Sequence, residues 1–193
     1  TNSPCSSANS AIATVTVSPT PVGGMVTGSA SVCTGSNSTT LTLSGHTGTI
    51  TRWESSTSST FASAVTSIAN TTTTLTATDL TTTTYYRAVI TNSVCSSANS
   101  AIATVTVSPA SVGGTIAGSA TVCTGTNSTT LTLSGHTGAI TRWESSLNNF
   151  ATAGTNIFHF STTLTVTNLT ATTYYRAVVT NSPCSSANSA IAT

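Results

Sequence analysis

The residues best suited to chemistry in this 193-residue chain are its five cysteines, and they fall at two phases of a repeat. Cys33 and Cys123 sit in VCTG, whereas Cys5, Cys95 and Cys184 sit in NSxCSS. Two cysteines per repeat, in a chain so poor in charge, favour export and oxidation, and so structural disulfides rather than free thiols. Other chemistry finds little support. His46 and His136 occupy one position of the turn SGHTG, His159 has no repeat counterpart, and no acid or thiol partner can be argued for any of them. A calcium site needs several oxygen ligands, yet Asp79 has no acidic neighbour and is replaced by Asn168 in the second copy. The chain has no Lys for a Lys-to-Asn isopeptide bond and no Gln for a Cys-to-Gln thioester. No catalytic residue, metal site or cofactor is expected.

Charged residues make up 4% of the chain: Arg52, Arg87, Arg142, Arg176, Glu54, Glu144 and Asp79. A net charge of +1 leaves no electrostatic footprint for nucleic acid, and no basic helix suits a membrane surface. No apolar run approaches the roughly 20 residues of a membrane span. Abundant Ser and Thr would suit a disordered stalk, but Trp53, Trp143, Tyr85, Tyr86, Tyr174 and Tyr175 recur in strand-like alternation, which argues for a folded chain.

The elements that must position these residues follow from the repeat. TNSPCSSANSAIAT stands at 1 and again at 180, and TNSVCSSANSAIAT stands at 91, so the period is close to 90 residues. That suits one compact sandwich of about 100 residues better than a solenoid coil. The chain reads as a window on a longer tandem array. Residues 1–19 are expected to be the last strand of an upstream repeat, 20–109 a complete repeat, and 110–193 a repeat lacking its final residues. Within the complete repeat, 39–45, 49–56, 73–80, 84–91 and 101–108 alternate apolar and hydroxyl residues with period two, and further strands are expected within 24–32 and 61–68. The fold class is therefore all-β: tandem immunoglobulin-like or fibronectin-III-like sandwiches of seven strands each. Placing Trp53 inward on its strand sends Arg52 and Glu54 outward. Placing Tyr86, Ala88 and Ile90 inward sends Arg87 outward, so these charges gather as an ion cluster on one face.

Two cysteine pairings respect the repeat. One is internal, Cys33 with Cys95 and Cys123 with Cys184, leaving Cys5 for a partner upstream. The other joins neighbours, Cys33 with Cys184, with Cys95 facing the preceding repeat. Strands of about seven residues hold Cys33 and Cys95 some 20 Å apart at opposite ends of a sandwich, whereas a disulfide needs Cα atoms within about 7 Å. The strand assignments favour the junction bond slightly, and both pairings stay open.

Residues 22–56 and 112–146 differ at six places, whereas 57–70 and 147–160 diverge, and the run up to the phenylalanine is one residue shorter in the second copy when Phe61 aligns with Phe150. A permissive edge explains the divergence, and the rival reading is a binding surface carried by Phe61, Phe150, Phe158, His159 and Phe160.

The string running from VCTG through TLTLSG and TRWESS to LTTTTYYRAVITNSVCSSANSAIATVTVSP resembles the cysteine-containing Ig-like repeats of giant secreted and cell-surface adhesins of Bacteroidota. These include type IX secreted proteins, some of which serve gliding motility. The resemblance spans both repeats and implies an extracellular array in a long filament or stalk, with no defined ligand. The expected role is a rigid, disulfide-stabilised spacer whose partners are neighbouring repeats of the same chain, with lateral self-association in a fibre as a further option. The alternatives are a module binding polysaccharide or another surface ligand, and accessory repeats of a secreted glycan-degrading enzyme.

Overall fold

The computed structural model describes residues 4–193 and contains strands, turns and loops but, among those residues, no helix. Thr and Ser alternating with Leu, Val and Ile suit strands because the β-branch fits the pleat while one face stays wet. In the first sandwich these are β1 (Met25–Thr27), β2 (Ala30–Cys33), β3 (Ser38–Ser44), β4 (Thr49–Ser56), β5 (Thr66–Ile68), β6 (Thr74–Thr78), β7 (Thr84–Thr91), β8 (Ala98–Asn99) and β9 (Ala103–Ser108). The second holds β10 (Thr115–Ala117), β11 (Ser128–Ser134), β12 (Ala139–Ser146), β13 (Thr155–Ile157), β14 (Thr163–Thr167), β15 (Tyr174–Thr180) and β16 (Ala187–Asn188).

One sheet of the first sandwich runs β1-β3-β6, and the other runs β2-β9-β7-β4-β5 with β8 also paired to β7. The second sandwich has β10-β11-β14 in one sheet and β13-β12-β15-β16 in the other, with β16 in the place of β8 and, among the described residues, no counterparts of β2 and β9. Trp53 and Trp143 are fully buried between their sheets, among Leu41, Leu43, Ile50, Leu75 and Ile90 in one case and Leu131, Leu133, Ile140, Leu164 and Val179 in the other. Each indole N–H donates to a backbone carbonyl at 3.0 Å, Thr72 for Trp53 and Ser161 for Trp143, so no buried donor is orphaned. Burying a side chain of Leu or Val size contributes about 1.5–3 kcal/mol, and each core holds several.

Two expectations need correction. The first strand, expected within 24–32, is two strands in different sheets. Gly28 lies between them at φ +98°, where a side chain would be strained, and this turn carries the chain from β1, antiparallel to β3, to β2, parallel to β9. The strand expected within 61–68 is only Thr66–Ile68, because Phe61 and Ala64 take positive φ and the chain turns through 58–63. Residues 4–20 carry no strand and expose Ile12, Val15 and Val17.

Candidate functional site at the junction

Cys33 ends β2, and the parallel ladder with β9 fixes its place: Ala30 pairs with Val105 and Cys33 with Ser108. The Thr34 N–H donates to the Ser108 carbonyl at 2.9 Å, which carries the pairing one residue further. Asn37 then pins this corner. Its amide donates to the Cys33 carbonyl at 2.8 Å and to the Leu80 carbonyl at 2.7 Å, and its oxygen accepts the Leu80 N–H at 3.0 Å. Asn127 holds Cys123 in the same way, donating to Cys123 at 2.7 Å and Leu169 at 2.8 Å. An amide satisfied on both sides has little freedom, so each cysteine backbone is set before any bond forms.

Cys184 approaches from the other sandwich, in the turn after β15, where its N–H donates to the Asn181 carbonyl at 2.9 Å. The Asn181 side chain donates to the Pro109 carbonyl at 2.8 Å, and its backbone N–H donates to the Ser111 hydroxyl at 2.8 Å. Ser108 Oγ reaches the Ser182 carbonyl at 3.3 Å. The turn is thus laid on the link between the sandwiches. The structure joins Cys33 to Cys184 with Cα atoms 4.9 Å apart, and Cys184 is 5% exposed.

Cys5, Cys95 and Cys123 are free thiols. Neither internal pair, Cys33 with Cys95 or Cys123 with Cys184, is formed. The reason lies in β7: Thr84 at its start pairs with Val105, near Cys33, whereas Cys95 follows its far end. Eight residues of strand separate those ends by about 25 Å. Cys95 instead sits against the residues that precede its own sandwich, its Sγ 3.7 Å from the Ser18 and Pro19 carbonyls, with the Asn92 amide donating to Pro19 at 2.7 Å.

A second constellation lies on the outer face of the β4–β7 pair. Glu54 Oε1 accepts from Arg52 at 2.7 Å and Oε2 from Arg87 at 2.8 Å, and the Arg87 guanidinium lies 4.1 Å over the Phe61 ring. Glu144, Arg142, Arg176 and Phe150 repeat the arrangement. The carboxylate is not outward in the sense of solvated: Glu54 is only 6% exposed beneath its two partners. Burial raises the Glu54 carboxyl, but the hydrogen bonds and charges of Arg52 and Arg87 outweigh it and leave it below the ordinary carboxylate range. Glu144 is held down likewise by Arg176 and Arg142 against its burial.

The expected aromatic surface divides. Phe61 is buried and Phe150 half-buried, each under an arginine, so neither offers a free face. Phe158 and Phe160 stay exposed, at 78% and 64%, with His159 between them touching the Thr163 carbonyl. Among the described residues no group of three or more His, Cys, Asp or Glu is placed to hold a metal, and no helix is long and apolar enough to cross a membrane.

Asn37, Asn92 and Asn181, which place the cysteines, carry no chemistry of their own and escape a search for reactive groups. Their signal is recurrence at one phase of the repeat, in NSTT and TNS.

Residues 22–109 and 112–193 each match the family model described as a domain of unknown function (DUF8696). No curated protein matches the chain. Among solved structures it is similar to one chain of the crystal structure of a mouse coronavirus receptor-binding domain complexed with its murine receptor, with TM-score 0.53, 14% identity, 86% of this chain and 97% of that one covered. It is also similar to a marsupial T cell receptor, with TM-score 0.51, 13% identity, 87% of this chain and 70% of that one covered. At these identities the likeness concerns the fold, which is Ig-like and all-β.

Proposed function

We propose, from the premise that the chain belongs to the DUF8696 family through both of its sandwiches, that it is a stiff spacer segment of an extracellular filament or giant cell-surface adhesin. The observation that carries this reading is the bond from Cys33 to Cys184. A single peptide link lets two sandwiches pivot and twist about one point. A second covalent attachment, offset from the link at Pro109, removes most of that freedom, and the Asn181 and Ser108 contacts brace it. An array joined this way at every junction transmits length and force along its axis with little bending. Hydroxyl-rich outer faces keep such an array hydrated without charge. The origin in a Bacteroidota adhesin rests on the sequence resemblance, and the division into 1–19, 20–109 and 110–193 supplies the junctions that the reading needs.

The test is small-angle X-ray scattering of the oxidised chain, the reduced chain and the Cys33→Ser variant. A narrow, extended distance distribution when oxidised, broadening in the other two samples, is the expected result. Superimposable profiles in all three would sink the spacer reading.

A second reading is favoured by the two exposed rings of Phe158 and Phe160, which the first sandwich lacks. Such rings could stack on sugar faces. A glycan array probed with the intact chain and with Phe158→Ser/Phe160→Ser tests it: binding lost in the double variant supports it, and no binding by either chain ends it.

A further inference from the structure

Two segments of the first sandwich run side by side into the junction. β2 and β9 are parallel, and their last residues, Cys33 and Ser108, are register partners, so both strands reach the boundary at the same level. From there each has its own covalent route onward: Ser108 through Pro109 into the link, and Cys33 through its sulfur to Cys184. On the far side the two routes arrive together. Asn181, three residues before Cys184, is bound to Pro109 and Ser111. The chain after Cys184 then lies along the link, with the Ala190 N–H donating to the Gly114 carbonyl at 2.9 Å and no room for a Cβ on Gly113 beside the Asn188 carbonyl.

This connectivity decides where tension goes. For a pull applied before Cys33 and after Cys184, the shortest covalent path is the chain up to Cys33, the S–S bond, and the chain from Cys184 onward. The bond spans 151 positions, and the residues inside that interval, β3 to β15 with both tryptophans, hang from the path as a closed loop. We infer that residues 22–33 and 184–192 are the force-carrying straps of the two sandwiches, and that the bond between them keeps the cores off the line of tension. The inference rests on the spacer reading and adds to it which residues bear the pull.

The first strap is extended and pinned along its length. Val22 and Thr47 exchange two backbone hydrogen bonds at 3.0 Å, β1 holds three pairs with β3, β2 holds four with β9, and Ser29 Oγ accepts the Thr104 N–H at 3.0 Å. Strand covers about 3.3 Å per residue, so apart from the turn at Gly28 this segment has little slack to release. Without the bond, the same pull enters the first sandwich through β9 alone. It draws β9 along β2 and β7, shears the parallel ladder and drags the buried Val105 from the core. With the bond, β2 and β9 are drawn together from one end, and the ladder between them is not sheared.

Single-molecule stretching of the whole chain, held by tags at its two ends, tests this in a Cys5→Ser/Cys95→Ser/Cys123→Ser background, where only the junction bond can form. Resistance of Cys33 and Cys184 to iodoacetamide before reduction shows that it has formed, and reactivity of either would overturn the inference by removing the bond. Reduced, the chain is expected to unfold in two sandwich-sized steps toward a fully extended length of about 670 Å, and the Cys33→Ser variant should do the same under oxidising conditions. Oxidised, the path through the bond extends to about 150 Å at most, and no step is expected at the forces that unfold the reduced chain. A step of tens of ångströms in the oxidised chain at or below those forces would mean that the straps peel away, and would overturn the inference. Straps that peel under load leave the scattering of the unloaded chain unchanged, so the two readings fail separately.

Discussion

The stretch 57–70 of the first sandwich and its counterpart 147–160 differ in sequence and in the length of the run that leads to the phenylalanine, yet the ion cluster beneath them is the same in both. In the first copy Ser56 Oγ donates to the Ser63 carbonyl, whereas in the second Ser146 Oγ donates to the Asn148 side chain. Both turns nonetheless bring a phenylalanine at positive φ under an arginine, at 4.1 Å in each case. The turn is free to drift except at the residue that caps a buried charge network. Divergence between copies therefore marks the part of the edge that packing leaves alone, and Phe158 and Phe160 fall within it.

The widest break in this equivalence comes from the shared core. Trp53→Ala and Trp143→Ala should each cost about 3–5 kcal/mol in their own sandwich, by the same amount within error, in urea unfolding of the reduced chain. Unequal losses would mean that the two cores are not the same packing problem. Phe61→Ala should cost about 2–3 kcal/mol and Phe150→Ala less, because Phe61 is the more deeply buried of the two. Equal losses would assign the ring's contribution to the arginine contact alone.

Glu54→Gln and Glu144→Gln come next, at about 1–2 kcal/mol each, since their arginine partners remain partly hydrated. The same carboxylates set an acid limb. Their folded pKa values lie below the unfolded value, so their stabilisation is full above the unfolded pKa of about 4.3 and fades as pH falls from there through the folded pKa. Denaturation midpoints measured from pH 6 to pH 3 should fall for the parent and fall less for the double Gln variant. Phe158→Ser and Phe160→Ser close the series, with changes within about 0.5 kcal/mol.

Much of the sheet framework was legible because Thr and apolar residues alternate cleanly in β3, β4, β6, β7 and β9, with the tryptophans marking the inside. The split between β1 and β2 was not, since GMVTGSASV carries no apolar break and only Gly28's backbone angle sends its halves to different sheets. β8 escaped for another reason. Two residues show no period, and Ser100, whose hydroxyl accepts the buried Ala88 N–H at 2.8 Å, stands in for ladder bonding there. The burial of Glu54 was hidden because alternation says which way a side chain leaves the sheet, not what lies over it. At the junction, the cysteines were visible as chemistry and their distance along β7 as geometry, while the asparagines that hold them look like ordinary turn residues.

A non-reducing tryptic map of the natively oxidised chain decides whether Cys33 is bonded to Cys184 across the junction. Cleavage after Arg52, Arg87, Arg142 and Arg176 places Cys33 in 1–52, Cys95 and Cys123 in 88–142, and Cys184 in 177–193. A species joining 1–52 to 177–193, absent after reduction, is the predicted result. Peptides 1–52 and 177–193 both joined to 88–142 instead would mean bonds closed within each sandwich, leaving the sandwiches tethered by the peptide link alone.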